Sequence, residues 1–579
     1  MRRGPEKRFI SSEEVAGLRR VRRYAVPRRV IERATERRLA GDWRGALAVA
    51  GVDVAFDPAE VAASYGSVVA ASLVSDLHHL VPDLVRWHLP RILGGRSTID
   101  TDRTIVLAGY GAGLSVAPYL HLRTPPMADG PQRLALRFGA VPGETSPGVF
   151  AVRVEDWRSV RHLWDARHTD GLRAAVGGGG RIPFFHDDGT PLTPEELAAP
   201  GNDAAARAER VTLLHQEGKV SEAFAAAGVD WDPALPSSER SWRHVDGEEI
   251  VRRTAIDIPR LESAVRRATA ASGRERFLIA NFYRGYILLD LTDHSGGGRL
   301  RARVVESRRP AAEPPSLPEA AWRRLPDLDL LRVGAMPPGW LHPLVARALF
   351  PSLEGPFGPP GPSAPRPVRV RCRGEWHEVA FRDGALRSPH TEEERQRESA
   401  MRAFGGAVAG CFAAEHSVTS GTGRLPRALR EQRQELFQRA QHGDTAGVLE
   451  MLAAGVDLRV KDGRRRSLLH VLPLLDHEAL LPRLLAAGLD LEARDHMERT
   501  PLAVAVSERG STALVRALLD AGARIDVTDA TELSLAQMIR RYKRGELDFL
   551  RERVVAEHPG IGSAWYAKWI ENAEKDEEQ

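Results

Sequence analysis

Cysteine is almost absent from this chain, which has only Cys372 and Cys411 among its 579 residues. Two cysteines are too few for a disulfide scaffold, and their spacing along the chain does not match that of a structural zinc motif. We therefore expect no metal site and no cofactor. A reducing compartment, the cytoplasm, suits this cysteine usage.

Long apolar runs are absent as well. No stretch of 18 or more apolar residues could cross a bilayer, and the first ten residues are charged rather than apolar. The sequence therefore predicts a soluble, unexported protein without a membrane partner.

Lysine is scarce, since only six of the 82 basic residues are lysine. This skew is typical of the GC-rich coding bias of actinobacteria and does not indicate selection for phosphate binding. The 82 basic residues are balanced by 78 acidic ones, which leaves a net charge of +4. Net charge therefore favours no class of partner.

Catalytic signatures are also missing. The chain contains no G-x-S-x-G, H-E-x-x-H or paired CxxC motif. The segment GYGAGL (109–114) lacks the last glycine of a dinucleotide loop and favours a hairpin turn. His186, Asp187 and Asp188 adjoin one another in FFHDDGTPL, which an Asp-Gly bend explains as well as catalysis does. We therefore lean away from an enzyme.

The length predicts several domains, because a single hydrophobic core stops growing well below 579 residues. Fifteen of the 39 prolines fall within 310–367, and the segment GPFGPPGPSAPRP (355–367) at its end predicts a stiff extended spacer and a domain boundary. We predict an α+β multi-domain chain in which helix-plus-sheet modules precede an all-α C-terminal solenoid. The predicted segments are 1–200 and 201–309 (two α+β modules), 310–367 (proline-rich spacer with short helices), 368–429 (β-hairpin plus helix), 430–560 (repeats) and 561–579 (charged tail).

Two segments of the N-terminal part resemble each other. LAGDWRGALAVAGVD (39–53) matches QEGKVSEAFAAAGVD (216–230), and both end in Ala-Gly-Val-Asp. An old duplication would produce this pattern. A generic short helical hairpin would also produce it, because GDTAGVLEMLAAGVD near residue 450 has the same form.

The C-terminal part repeats at a fixed period. Gly455, Gly488 and Gly522 are 33 and 34 residues apart, and Asp462, Asp495 and Asp529 follow the same intervals. Such self-similarity is typical of stacked helical units. Five residues after each aspartate stands a residue able to cap a helix: Ser467, Thr500 and Ser534.

The repeated segments resemble those of the ankyrin family. The unit of that family is a turn plus two antiparallel helices, and its helix begins with the motif T-P-L-H-x-A. The resemblance covers about 125 residues. Ala503 replaces the histidine of the opening in one unit and Leu468 replaces the proline in another. The resemblance implies protein binding through the turn tips, which here are Lys461, Arg464, Arg465, Arg466, Arg494, His496, Glu498, Arg499, Thr528, Thr531 and Glu532.

Basic residues are also concentrated near the N-terminus, since residues 1–40 contain 13 basic and 5 acidic residues. Phosphate contacts supply most non-specific affinity for nucleic acid. One interpretation of this basic patch is therefore that it binds nucleic acid, and the other is that it is a solvated helical face. Its members are Arg19, Arg20, Arg22, Arg23, Arg28 and Arg29.

Three functions follow, in order of preference. The first is a non-enzymatic scaffold that recognises a protein partner through its ankyrin-type tips. The second is an enzyme or ligand-binding domain within residues 100–310 that the repeats target to its site of action. The third is nucleic-acid binding by the basic N-terminal helix.

Overall fold

The structure is a computed structural model and describes residues 9–111, 117–141, 153–199, 201–234, 247–281, 285–292, 298–306, 314–406 and 409–568. Part of the predicted GYGAGL turn and most of the charged tail lie outside these residues. Helices hold 47% of the residues and strands 14%, in several sheets. The chain is therefore α+β and multi-domain, as predicted.

Two compact units make up the chain. Unit 1 comprises 1–126 and 133–360, and unit 2 comprises 127–132 and 361–579. No helix among the described residues is both long enough and apolar enough to cross a membrane.

The described residues of unit 1 form fifteen α-helices. Several begin at capping side chains; Ser11, for example, accepts a hydrogen bond from the backbone N–H of Glu14. The helices are α1 (Ser12–Tyr24), α2 (Arg28–Leu39), α3 (Trp43–Val49), α4 (Pro58–Tyr65), α5 (Ser67–His79), α6 (Pro82–His88), α7 (Gly171–Ala175), α8 (Pro194–Ala198), α9 (Ala204–Gln216), α10 (Val220–Ala226), α11 (Gly247–Arg252), α12 (Leu261–Ser272), α13 (Glu319–Trp322), α14 (Pro326–Arg332) and α15 (Pro343–Leu349), with 3-10 helices at Trp157–Leu163, Ile258–Arg260 and Pro338–Trp340.

The strands described in unit 1 form two sheets. The first has the order β1-β4-β3-β2-β5 and the second the order β6-β9-β8-β7. Their strands are β1 (Val52–Val54), β2 (Arg103–Gly109), β3 (Tyr119–Arg123), β4 (Leu134–Gly139), β5 (Arg153–Asp156), β6 (Asp230–Asp232), β7 (Arg276–Asn281), β8 (Gly285–Thr292) and β9 (Arg299–Glu306).

The two sheets share one topology. Each contains a three-stranded antiparallel meander, β2-β3-β4 or β7-β8-β9, and a short strand that pairs in parallel with its last member. That short strand follows a helical hairpin, α2-α3 or α9-α10, formed by the segments that resemble each other in sequence. On the other edge, β5 lies parallel to β2, and Ser316 forms a parallel bridge with Leu278 of β7. The likeness therefore extends from a hairpin to a whole sheet, beyond what a generic hairpin requires.

Both sheets contribute to one hydrophobic core. Leu107 and Leu136 of the first sheet and Ile287 and Leu300 of the second are fully buried members of it. The proline-rich stretch also belongs to this core as far as Phe350, because Phe350 and apolar side chains of α14 and α15 are buried in it. The short helices predicted within 310–367 therefore pack inside unit 1, and the segment 355–367, which was predicted to be extended, contains no helix or strand.

Unit 2 begins with a three-stranded antiparallel sheet. Its strands are β10 (Val368–Cys372), β11 (Glu375–Arg382) and β12 (Ala385–Arg387), joined by tight turns. Residues along β10 alternate between buried and exposed, as the pattern VRVRC predicts for a strand with one wet face. Helices α16 (Glu392–Ala403) and α17 (Gly410–Ser420) follow the sheet.

The remaining helices of unit 2, in which neighbouring elements along the chain pack against each other, are here called the helical stack. They are α18 (Arg427–Gln441), α19 (Thr445–Ala453), α20 (His477–Ala486), α21 (Pro501–Ser507), α22 (Thr512–Asp520), α23 (Leu535–Arg541) and α24 (Asp548–Glu557), with 3-10 helices at Leu472–Leu474 and Gly545–Leu547. Thr500 and Ser534 cap α21 and α23 as predicted. The helix expected to open at Ser467 is instead a series of turns and a 3-10 helix, because Pro473 has no N–H to donate.

Candidate functional site

Three turns of the helical stack have the same construction. Asp462, Asp495 and Asp529 each accept hydrogen bonds from the backbone N–H groups two and four residues later, at 2.8–3.0 Å. The third residue after each aspartate has a left-handed backbone, with φ of 60°, 57° and 63°. The repeated aspartates of the sequence are therefore the residues that shape these turns.

Neighbouring turns are joined edge to edge. The backbone N–H of His496 donates to the carbonyl of Arg464, and that of Ala530 donates to the carbonyl of Met497, both at 2.9 Å. Arg494 reaches across to the carbonyl of Thr528 at 3.1 Å. The turns at 461–466, 494–499 and 528–532 thus form a continuous border, here called the tip edge.

The predicted tip residues differ in how far they reach solvent. Arg464 and His496 retain 46% and 42% of their side-chain exposure, whereas Arg466 and Arg499 retain only 14% and 16%. Arg466 and Arg499 fold back onto Asp462 and Asp495. The exposed members are Arg464, Arg494, His496, Thr531 and Glu532, and the half-buried members are Lys461, Arg465, Arg466, Glu498, Arg499 and Thr528.

Arg466 and Arg499 therefore require a correction. Both were predicted to contact a partner, but each guanidinium is already paired with the aspartate of its own turn, and Arg499 also pairs with Glu508 at 2.9 Å. These two arginines stabilise the turns. Local sequence could not separate them from their exposed neighbours, because all stand in one run of charged residues.

His470 connects the first turn to the second. Its Nδ1 accepts a hydrogen bond from the backbone N–H of Ser467 at 3.1 Å, and its Nε2 lies 3.1 Å from the carbonyl of Arg499. The ring is therefore neutral, with its proton on Nε2. Burial lowers the pKa of His470 to about 4.

This histidine makes the helical stack sensitive to acid. An unfolded histidine titrates near 6.5, so the unfolded chain takes up a proton first as the pH falls from about 6.5 toward about 4. Stability is complete above that window and declines within it. We expect a loss of about 2 kcal/mol between neutral pH and pH ~5, which His470→Asn should reduce.

Hydrogen exchange of peptides from the stack, measured at both pH values, checks this expectation. Asparagine can still accept the hydrogen bond from Ser467, so the variant should fold. His496→Asn, at the exposed histidine of the second tip, is the matched control and should leave the pH dependence unchanged. Equal acid sensitivity in His470→Asn and the unaltered chain would contradict this role for His470.

The described basic residues near the N-terminus differ in their exposure. Arg19 is exposed, whereas Arg20, Arg23, Arg28 and Arg29 are half-buried.

Arg22 is only 4% exposed, and its guanidinium pairs with Asp327 at 2.7 Å. Arg22 must therefore be removed from the predicted basic patch, because its charge is already neutralised inside unit 1.

His186, Asp187 and Asp188 lie in a tight turn. Asp188 accepts hydrogen bonds from the backbone and hydroxyl of Thr190, and the backbone N–H of Gly189 donates to the carbonyl of His186. Two cavities described in unit 1 have volumes of about 70 and 50 Å³. Neither is lined by these three residues, and both are far below the volume of about 300 Å³ at which small-molecule sites begin.

Both cysteines of the chain lie together in unit 2, beside two histidines. One ligand atom from each of Cys372, His377, His390 and Cys411 lies within 4.8 Å of every other. We call these four residues the Cys/His cluster. Cys411 is fully buried, and the histidines beside it are His377 and His390.

The Cys/His cluster could not be identified from spacing. His377 comes from the middle of β11, and His390 comes from the loop after β12, so the four residues follow no short motif. Part of the cluster could have been found from local sequence. The alternation of apolar and charged residues along β10 and the hairpin turn after it predict that Cys372 and His377 lie on the same face of the sheet.

Comparison with known proteins returns no relatives: no protein-family model matches this chain, and no curated protein matches it either.

Proposed function

We propose that this protein is a non-enzymatic interaction protein that binds a partner protein through the tip edge of an ankyrin-type stack. The observation that supports the proposal most is the repeated construction of the three turns. Their aspartates and left-handed residues hold one geometry, whereas the exposed side chains differ from turn to turn. A rigid frame with variable exposed positions is the arrangement through which repeat proteins bind their partners.

The charge of the tip edge changes along its length. The first turn exposes Arg464, the second exposes Arg494 and His496, and the third exposes Thr531 and Glu532. A partner surface that is acidic where it meets the first two turns would complement this pattern and accelerate association. A cytoplasmic location is part of the proposal, because both thiols are free.

The alternative functions have less support. The two cavities of unit 1 described above are small, and His186, Asp187 and Asp188 serve a turn, so these observations do not favour an enzyme there. For nucleic acid, the burial of Arg22 and the partial burial of its neighbours reduce the basic area that could contact phosphate.

Reversing the charge of the tip edge should abolish partner capture. In the variant Arg464→Glu/Arg494→Glu, two exposed cations become anions. Charge reversal at an interface changes both association rate and affinity, and we expect a decrease of at least ~10-fold in partner retained. Affinity capture from nuclease-treated lysate, followed by mass spectrometry, measures this.

A control variant with the same charge change sits on the helices of the stack. Arg430→Glu/Arg483→Glu alters two exposed arginines of α18 and α20, away from the tip edge, and should retain the partner. If both variants retain the same proteins, the tip edge is not the binding surface. If the unaltered chain retains material only when the nuclease treatment is omitted, the nucleic-acid alternative replaces this proposal.

A further inference from the structure

The geometry points to a metal site: we propose that Cys372, His377, His390 and Cys411 bind one zinc ion through two sulfur and two nitrogen atoms, and that this ion stabilises unit 2. The proposal is independent of the tip edge. It replaces the expectation from sequence spacing that the chain holds no metal.

The ligand atoms of the Cys/His cluster lie close to the spacing of a tetrahedral site. Cys372 Sγ lies 3.4 Å from His390 Nε2, His377 Nδ1 lies 3.1 Å from His390 Nε2, and Cys411 Sγ lies 3.6 Å from His377 Nδ1. Zn–N bonds of about 2.0–2.1 Å and Zn–S bonds of about 2.3 Å at tetrahedral angles require ligand atoms about 3.3–3.8 Å apart. The two distances that involve sulfur fall within this range, and the two imidazole nitrogens need to separate only slightly to admit the ion.

The backbone brings the two cysteines together. Cys372 ends β10 at a tight turn in which Arg373 and Gly374 both have positive φ, and β11 returns with His377 on the same face. Gly410, with φ of 62°, precedes Cys411, and a Cβ at Gly410 would lie 2.5 Å from Cys372 Sγ. Only glycine allows this approach, which places Cys411 against the hairpin.

The histidine His390 is held in position from outside the cluster. Its Nδ1 lies 3.3 Å from a carboxylate oxygen of Glu394, and the ring of Phe412 packs against it at a centroid distance of 4.4 Å. A carboxylate on the second nitrogen of a ligating histidine fixes its tautomer and makes the metal-binding nitrogen more basic. Nε2 of His390 is therefore left with its lone pair directed at the cluster.

Charge and burial also favour a cation here. Cys372 and Cys411 are 2% and 0% exposed, so two adjacent thiols occupy the interior. On binding a divalent cation, the two thiols would release their protons to solvent, and two thiolates with two neutral imidazoles would balance the charge of the ion.

The donor set selects the metal and its role. Two sulfur and two imidazole ligands in a tetrahedron suit zinc, whereas magnesium and calcium require oxygen ligands. All four positions are filled by protein side chains, which is typical of a structural ion and leaves no position for a reacting water.

Metal analysis of the purified full chain, kept reduced throughout, tests the proposal. We expect about one zinc per chain, and after exchange with Co²⁺ we expect visible absorption bands of a tetrahedral site together with a thiolate-to-cobalt charge-transfer band. A chain that binds neither zinc nor cobalt at this stoichiometry, or one whose unreduced peptide map shows a Cys372–Cys411 disulfide, would overturn the proposal.

Variants locate the ion. His377→Gln should lose the bound zinc, and His416→Gln, which changes a histidine of α17 outside the cluster, should retain it. Glu394→Gln preserves the capping of α16, because glutamine also serves in a capping box, yet it removes the charge beside His390. Its zinc affinity should fall by about 10–100-fold. Zinc retained in His377→Gln but lost in His416→Gln would place the ion elsewhere and refute the assignment.

Discussion

Replacing Asp327 with asparagine is expected to destabilise unit 1 by about 3–5 kcal/mol. Asp327 is completely buried and holds Arg22 by two hydrogen bonds, at 2.9 and 2.7 Å. It also accepts a hydrogen bond from the indole of Trp87 at 3.1 Å. Asparagine would turn an amide N–H toward the guanidinium and leave a buried positive charge without its partner. Thermal unfolding followed by the fluorescence of buried tryptophans in unit 1 measures the loss.

Two further variants separate the ion pair from general damage. Glu262→Gln removes an exposed pair with Arg266 on α12 and should cost no more than about 1 kcal/mol. Adding Arg22→Met to Asp327→Asn should recover part of the lost stability, because the unpaired charge is then gone. Equal destabilisation by Asp327→Asn and Glu262→Gln would show that the buried ion pair contributes no more to the stability of unit 1 than the exposed pair does.

The same pair shows why the basic patch could not be predicted from sequence. Arg22 stands among arginines that look alike along the chain, but its partner Asp327 is 305 residues away. Amphipathic periodicity indicates which face of α1 is buried, yet it does not reveal that a buried arginine meets a carboxylate from α14. Only the folded chain distinguishes this arginine from its exposed neighbour Arg19.

Local patterns were more informative where one short segment determines the structure. The hairpin of β10 and β11 follows from alternation and a two-residue turn, and its strands pair in register from Val368–Val379 to Cys372–Glu375. The Cys/His cluster needed more than this. The loop after β12 brings His390 to the hairpin, and the close approach at Gly410 brings Cys411 to it. The spacing of these residues along the chain predicts neither contact.

The period of 33 and 34 residues was the most informative signal, because each repeated aspartate forms the same local hydrogen bonds. Asp462, Asp495 and Asp529 bond to backbone within their own turns, so their positions repeat wherever the turn repeats. Sequence could not predict how exposed each tip side chain is. That property depends on bonds between turns, such as the one from Arg465 to the carbonyl of Asp495 at 2.9 Å.

Asp495→Ala is accordingly expected to cost the helical stack about 3 kcal/mol. Asp495 is fully buried and accepts hydrogen bonds from the backbone of Met497 and from the backbone and guanidinium of Arg499. Burial alone would raise the pKa of Asp495, but the backbone N–H and charge of Arg499 outweigh it and lower the pKa, so the carboxylate is ionised at neutral pH. Alanine would leave the two backbone donors without this acceptor, and the Arg499 guanidinium would keep only Glu508 as a carboxylate partner.

Hydrogen exchange of the peptides that flank the second turn measures this loss within the full chain. Asp490→Ala is the matched control, because Asp490 is exposed and accepts a single backbone bond, from Glu492 at 2.8 Å. It should cost less than about 1 kcal/mol. Since Asp495 also fixes the carbonyl that receives Arg465, its loss should speed exchange in the first turn as well. Faster exchange confined to the second turn would mean that the tip edge is three independent turns and not one rigid border.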